Sequence, residues 1–154
     1  MIVPKMEKSI LIKAPPEKVW EMLALDRQPE WLDMMESVDY TSKVNTIENK
    51  YQVGLKVLGT PKGGPPGNCH YEILESVEYK KFKHLLWEKW LGKKLGGPVT
   101  YLMESVEDGT KLTVTIEMEL PWGILLKIIE PIIVRMGKKE YEKSLNNLKN
   151  ILEK

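Results

Sequence analysis

Beyond its 22 carboxylates, this 154-residue sequence has few side chains suited to serve as nucleophile, base or metal ligand: two histidines, His70 and His84, one cysteine, Cys69, and six tyrosines. A zinc site needs three or four Cys, His or acidic ligands at defined spacing, and no such cluster is present, so no metal is expected. Cys69 and His70 are adjacent, which would suggest a thiolate–imidazole pair, but neighbours in a strand point to opposite faces and cannot meet. Each histidine stands alone in its segment and reads as a surface or hydrogen-bonded strand residue. The serines lack the G-x-S-x-G elbow of a hydrolase. No nucleophile is expected, and no catalytic residue is assigned. Among the carboxylates, Glu117 and Glu119 fall on the wet face of an alternating segment. Glu104 shares a face with Leu102 and Val106, so its direction stays open; turned inward it would be a general acid or base. Tyr51 and Tyr101 are better polar handles, because a buried phenol needs a partner that a ligand could supply.

These residues must be positioned by a sheet. Residues 9–13 (SILIK) read as a short strand stopped by Ala14-Pro15-Pro16. Pro16 suits a first helical position, and Val19, Trp20, Leu23 and Ala24 give the stripe of a short amphipathic helix. Residues 29–32 (PEWL) form a second helical turn. Strands are predicted over 37–44 and 51–58, with Tyr51, Val53, Leu55 and Val57 on one face of the second. A Gly/Pro loop follows at 59–68; it lacks phosphate-loop spacing and reads as a hairpin loop or a mobile lid. Further strands are predicted over 70–79, 84–91, 99–106 and 111–120, with 92–98 a turn and an Asp108-Gly109 turn closing the last hairpin. Leu112, Val114, Ile116, Met118 and Leu120 alternate strictly with polar residues, so one face of that strand is buried. From 122 to 153 the period becomes helical through Leu125, Ile129, Ile132, Met136, Tyr141, Leu145, Leu148 and Leu152. Pro131 is expected to kink this helix, with Gly137 a second soft point. An antiparallel sheet covered by one C-terminal helix is the natural packing.

Composition closes other doors. Lys+Arg 23 against Asp+Glu 22 leaves a net charge of +1, which disfavours a nucleic-acid partner held by a broadly basic surface. One cysteine excludes an intramolecular disulfide and fits a reducing cytoplasm. The N-terminus carries lysines among its apolar residues. The most apolar window, 120–136, is broken by Pro121, Lys127, Glu130, Pro131 and Arg135, short of the ~20 apolar residues of a membrane span. A soluble, cytoplasmic protein with no cofactor is expected. Lys and Glu dominate its charges, a balance that leans towards a thermophilic source. Lys80, Lys81, Lys83, Lys93 and Lys94 in turns, and Lys138, Lys139 and Lys143 along the last helix, read as solvated charge. Transient attraction to an anionic membrane surface is the functional alternative, with 122–136 as the inserting surface. Five Trp, six Tyr and eight Met against one Phe over-supply large, adaptable side chains.

The segments SILIKAPPEKVWEML, QPEWLDMMESVDY, FKHLLWE, GTKLTVTIEMEL and LLKIIEPIIVRMGKKEYEKSLNNLKNILEK, in that order over nearly the whole chain, resemble the START-like (SRPBCC) superfamily. The nearest group is the polyketide cyclase/dehydrase one, which includes relatives of a small protein associated with carbon monoxide dehydrogenase. The resemblance implies an α+β helix-grip fold over 1–154 as a single ligand-binding domain. A curved seven-stranded antiparallel sheet would wrap the long C-terminal helix, with two short helices after the first strand. It also implies an apolar cavity between sheet and helix for a lipid, polyketide or aromatic ligand. On that fold, Trp31, Tyr51, Val53, Tyr101, Met103, Ile116 and Met118 are the expected inward residues, with Ile129, Ile132, Ile133 and Met136 on the helix. Met and aromatic side chains can mould such a cavity to several apolar ligands. The leading expectation is a carrier or binder of a hydrophobic small molecule. The alternatives are a cyclase-, aromatase- or dehydratase-like enzyme, in which a Tyr or Glu assists proton transfer, and a protein-assembly module. Ligand identity and oligomeric state are not legible.

Overall fold

The alternation around Leu112 becomes the centre of a sheet. In the computed structural model, which describes residues 5–41, 48–90, 93–119 and 125–154, with the side chains of all of these except 48, 90, 93–95, 125–130 and 133, that segment is strand β7 (Gly109–Glu117). Leu112, Val114 and Ile116 are buried, and the residues between them are turned to the other face. The remaining elements in chain order are β1 (Lys5–Ile12), α1 (Pro16–Leu23), a 3-10 turn at Gln28–Glu30, β2 (Met35–Tyr40) and a second 3-10 turn at Glu48–Tyr51. Then follow β3 (Lys56–Pro61), β4 (Cys69–Val77), β5 (Lys81–Trp90), β6 (Lys93–Val106), β7 and α2 (Leu125–Leu152). The strands form one antiparallel seven-stranded sheet in the order β1-β7-β6-β5-β4-β3-β2. The architecture is the expected α+β helix grip: a curved sheet, a long C-terminal helix and two short helical segments between β1 and β2.

Several predicted boundaries differ, two of them for identifiable reasons. Residues 51–58 are not one strand: Tyr51 ends a 3-10 turn, Gly54 adopts φ 90°, and pairing begins only at Lys56. Tyr51, Val53, Leu55 and Val57 therefore share no strand face. Of the turn expected over 92–98, residue 92 lies outside the described residues and 93–98 are strand: β6 runs from Lys93 and pairs Gly97 with Leu86 and Pro98 with Leu85. Gly96 and Gly97 are there for close backbone approach rather than for a turn. A Cβ on Gly96 would lie 2.0 Å from the Leu86 carbonyl oxygen, and one on Gly97 would lie 1.9 Å from that of Glu117. The predicted strand end at 42–44 and the residues Leu120 and Trp122 lie outside the described residues.

α1 begins with Pro16 at a position whose N–H would be unpaired anyway, and it buries Val19, Trp20, Met22 and Leu23. Its last carbonyls have no intrahelical partner and are met by side chains from elsewhere. Tyr51 Oη donates to Trp20 O (2.7 Å), Trp31 Nε1 to Met22 O (2.8 Å) and Gln28 Nε2 to Leu23 O (3.0 Å). α2 is anchored by its C-terminal half, where Tyr141, Ser144, Leu145 and Leu148 are buried. The Asp33 N–H donates to Ser144 Oγ, Asn147 Nδ2 to Asp33 Oδ1, and Lys149 Nζ to the Leu11 carbonyl. Pro131 lies inside α2. Gly137 is a contact point rather than a soft one: a Cβ there would come within 2.6 Å of Met6 Sδ on β1.

Candidate ligand-binding site

The concave face of the sheet collects Cys69, Tyr71 and Ile73 from β4, Phe82 and His84 from β5, Val99, Tyr101 and Met103 from β6, and Leu112, Val114 and Ile116 from β7, all buried. Register makes His84 its polar centre. His84 pairs with Ile73 on one side and Val99 on the other, so Tyr71 and Tyr101 are its diagonal neighbours, within reach of aromatic side chains. The His84 ring centroid lies 5.3 Å from that of Tyr71, 5.9 Å from Tyr101 and 5.8 Å from Phe82. Trp31 closes on Tyr101 edge-on at 6.2 Å, and the buried Tyr141 of α2 stands against Tyr71 and Tyr101.

Four polar residues are buried among the described ones: Gln28, His84, Thr110 and Ser144. Three are committed to the fold. Gln28 caps α1, Thr110 Oγ1 donates to the Ala14 carbonyl (2.8 Å), and Ser144 Oγ accepts from the Asp33 N–H (3.2 Å). His84 is different: both its ring nitrogens are buried without a hydrogen-bond partner among the described residues, and so is Tyr101 Oη. Tyr101 and Tyr141 influence each other's ionisation, yet no hydrogen bond of normal geometry joins them. A buried polar group left unpaired costs about 1–3 kcal/mol. Native interiors hold few such groups, and each asks for an explanation.

Burial also sets their protonation. It pushes the His84 imidazolium down to about 4, so the ring is neutral at physiological pH. Burial likewise pushes the Tyr71, Tyr101 and Tyr141 phenols well up, and all three hold their protons. Cys69 Sγ donates to Glu88 Oε1 at 3.3 Å, and burial, reinforced by that carboxylate, raises the thiol far above its usual range. It is no nucleophile. His70 faces the other way and stacks on Trp87 at 3.9 Å, so the Cys69–His70 pair does not form. Glu104, Glu117 and Glu119 are exposed. Among the described residues no cluster could hold a metal ion.

The expected lining residues divide. Tyr101 and Met103 lie on the concave face, Ile116 at its β7 side, and Met118 packs partly buried against the core. Trp31 is inside, but its N–H is spent on α1, and the same is true of the Tyr51 hydroxyl. Val53, Ile132 and Met136 do not face inward; they are 57%, 58% and 64% exposed. Val53 is outward because it follows a 3-10 turn instead of lying in a strand. Ile132 and Met136 belong to the half of α2 before Gly137, ahead of the turns that seat Tyr141 and Leu145. The side chains of Ile129 and Ile133 lie outside the described residues. His84 is the candidate residue that sequence reasoning missed: Phe82 and His84 alternate with Lys81 and Lys83, a local signal for the buried face.

An open groove among the described residues lies elsewhere. About 790 Å³ in volume, it opens to solvent between α1, the Glu48–Tyr51 turn and the β4–β5 turn, over the stacked rings of Trp20 and Tyr51 (4.5 Å). Glu17, Glu21 and Glu78 line it with Arg27 and Lys50, which are already paired with Glu30 and Asp26. Size alone does not make it the site: its walls are charged and wet, whereas the concave face is apolar with unspent polar groups.

Solved structures of the same fold cover nearly the whole chain. Protein MLL2253 from Mesorhizobium loti is 18% identical, with a TM-score of 0.72 over 97% of this chain and 96% of its own. Ara h 8.0201 is 14% identical, with a TM-score of 0.69 over 98% of each chain. One chain of the Aha1 dimer from Colwellia psychrerythraea is 18% identical, with a TM-score of 0.64 over 99% of this chain and 97% of its own. At such identities the likeness speaks for the fold alone. No curated protein matches the sequence. A family model described as polyketide cyclase / dehydrase and lipid transport matches residues 3–153, and the chain belongs to that family.

Proposed function

We propose that residues 1–154 act as one domain that binds or carries a hydrophobic small molecule, held against the concave face of the sheet beneath α2. The observation that carries this reading is that His84 and Tyr101, buried on the concave face, have polar atoms with no hydrogen-bond partner among the described residues. The family's description, with its lipid-transport members, supports it. Native mass spectrometry of the freshly purified protein tests it: a co-purified apolar molecule, with a rise in melting temperature when that molecule is added back, is the expected result. A ligand-free protein that no lipid extract stabilises would count against it.

The convergence of His84, Tyr71 and Tyr101 is also what a cyclase- or dehydratase-like enzyme would need. Their proton affinities weigh against it. An efficient acid or base titrates near the working pH, and here the imidazole is far too weak a base and the phenols are too weak as acids. Turnover of a polyketide-like substrate that is lost on Tyr101→Phe would reverse that ranking. For a carrier, transient contact with an anionic membrane surface is supported by Ile132 and Met136, exposed on α2 beside Arg135, Lys138 and Lys139.

A further inference from the structure

We infer that His84 and Tyr101, flanked by Tyr71 and Tyr141, form the recognition point for an uncharged hydroxyl group on the ligand, so that the protein selects hydroxylated apolar molecules over carboxylates. This rests on the reading of the concave face as a ligand site, and deepens it to a class of ligand.

The hydrogen-bonding inventory points to a hydroxyl. A neutral imidazole presents one N–H and one bare nitrogen, so it asks for an acceptor and a donor together. The Tyr101 hydroxyl, equally unpartnered among the described residues, adds a donor. An alcohol, phenol or enol offers one O–H and an accepting oxygen, and can satisfy the imidazole and the phenol at once. A ketone or ester offers no donor for the bare nitrogen. A carboxylate offers none either, and brings a charge.

Electrostatics exclude the charged group more firmly. No Lys or Arg is buried among the described residues, and the imidazole is neutral, so no cation is at hand. The charged side chain next to this cluster is Glu88, held by Cys69 and felt by Tyr71, and it would repel an anion. Burying a carboxylate without a counter-ion is among the costlier events in a protein interior. Tyr71 differs from Tyr101 in having an interaction already, its hydroxyl lying 3.4 Å from Met35 Sδ, so it frames the site more than it binds.

Competition against the neutral dye N-phenyl-1-naphthylamine, bound to the intact protein, tests this. At about pH 8, 1-dodecanol is expected to displace the dye at a concentration at least tenfold lower than dodecanoate, the margin of about one hydrogen bond to a buried group. Dodecanoate should close the gap as pH falls and it takes up its proton, while dodecanol stays level. His84→Phe and Tyr101→Phe should each weaken displacement by dodecanol about tenfold, read against that variant's own dye affinity, and so narrow the preference. The pH arm needs no variant, so it holds even where a substitution fails to fold. Equal displacement by alcohol and carboxylate, or a preference unchanged in both variants, would overturn the inference while leaving the ligand site intact. Failure of the dye and of both amphiphiles to bind would overturn the ligand site itself.

Discussion

A single buried imidazole makes stability depend on pH, and the direction follows from its burial. In the unfolded chain His84 titrates near the ordinary 6.5, whereas in the fold its pKa falls to about 4. Above about 6.5 both states are neutral and nothing is lost. Between the two values the unfolded chain takes up a proton that the folded one refuses, so stability falls with pH. Below about 4 the loss levels off at roughly 3 kcal/mol. The groups packed around the ring are Tyr71 from β4, Phe82 from β5 and Tyr101 from β6, with Tyr141 of α2 beyond; none carries charge in this range. Urea unfolding of His84→Phe should lose most of the slope between about pH 6.5 and 4 that the parent shows; an unchanged slope would place the acid sensitivity elsewhere. Tyr51→Phe probes the opposite kind of residue. Its hydroxyl holds the Trp20 carbonyl at the end of α1, so its loss should cost about 1–3 kcal/mol in urea unfolding, while dye binding is unchanged. The helix-grip resemblance placed Tyr101 and Met103 inward, and both are buried. Residue type and period could not show that the Tyr51 hydroxyl is spent on a backbone carbonyl, since that bond spans 31 residues of chain.

Elements were most legible where one period ran uninterrupted, as in β7 and the C-terminal half of α2, and least legible at glycine and proline. The Gly-Gly-Pro run at 96–98 has the composition of a turn, but it sits within β6, where the neighbouring strands pass too close for side chains. That reason is tertiary, and composition does not carry it. Two glycine-to-alanine changes separate the cases. In Gly97→Ala the new carbon would meet the rigid Glu117 carbonyl at 1.9 Å, so the β6–β7 ladder must move. The urea midpoint should drop, with a loss of at least about 2 kcal/mol. In Gly137→Ala the new carbon meets only the end of the flexible Met6 side chain, and a better helix former offsets the displacement by up to ~1 kcal/mol. Its stability should stay within about 1 kcal/mol of the parent. Equal losses in the two variants would mean that α2 approaches β1 as rigidly as β6 approaches β7.

At the scale of the whole molecule, a net charge of +1 gives no general pull towards an anionic surface, so any membrane contact must be local. Periodicity assigned the apolar residues of α2 to the interior as a block. Tertiary structure splits that block: Leu145 and Leu148 are sealed, while Ile132 and Met136 face solvent. Arg135, Lys138 and Lys139 are exposed on the same stretch, and no described helix is long and apolar enough to cross a membrane. An apolar pair beside three cations suits shallow insertion at a lipid surface, where each cation contributes about 1 kcal/mol against anionic headgroups. Co-sedimentation with vesicles containing phosphatidylserine should therefore exceed that with phosphatidylcholine alone, and should fade as added salt screens the cations. Ile132→Ser with Met136→Ser should abolish the binding without lowering the melting temperature, because neither side chain belongs to the core. Binding that ignores lipid charge, or survives the double substitution, would detach this face of α2 from the membrane and leave ligand exchange to solution.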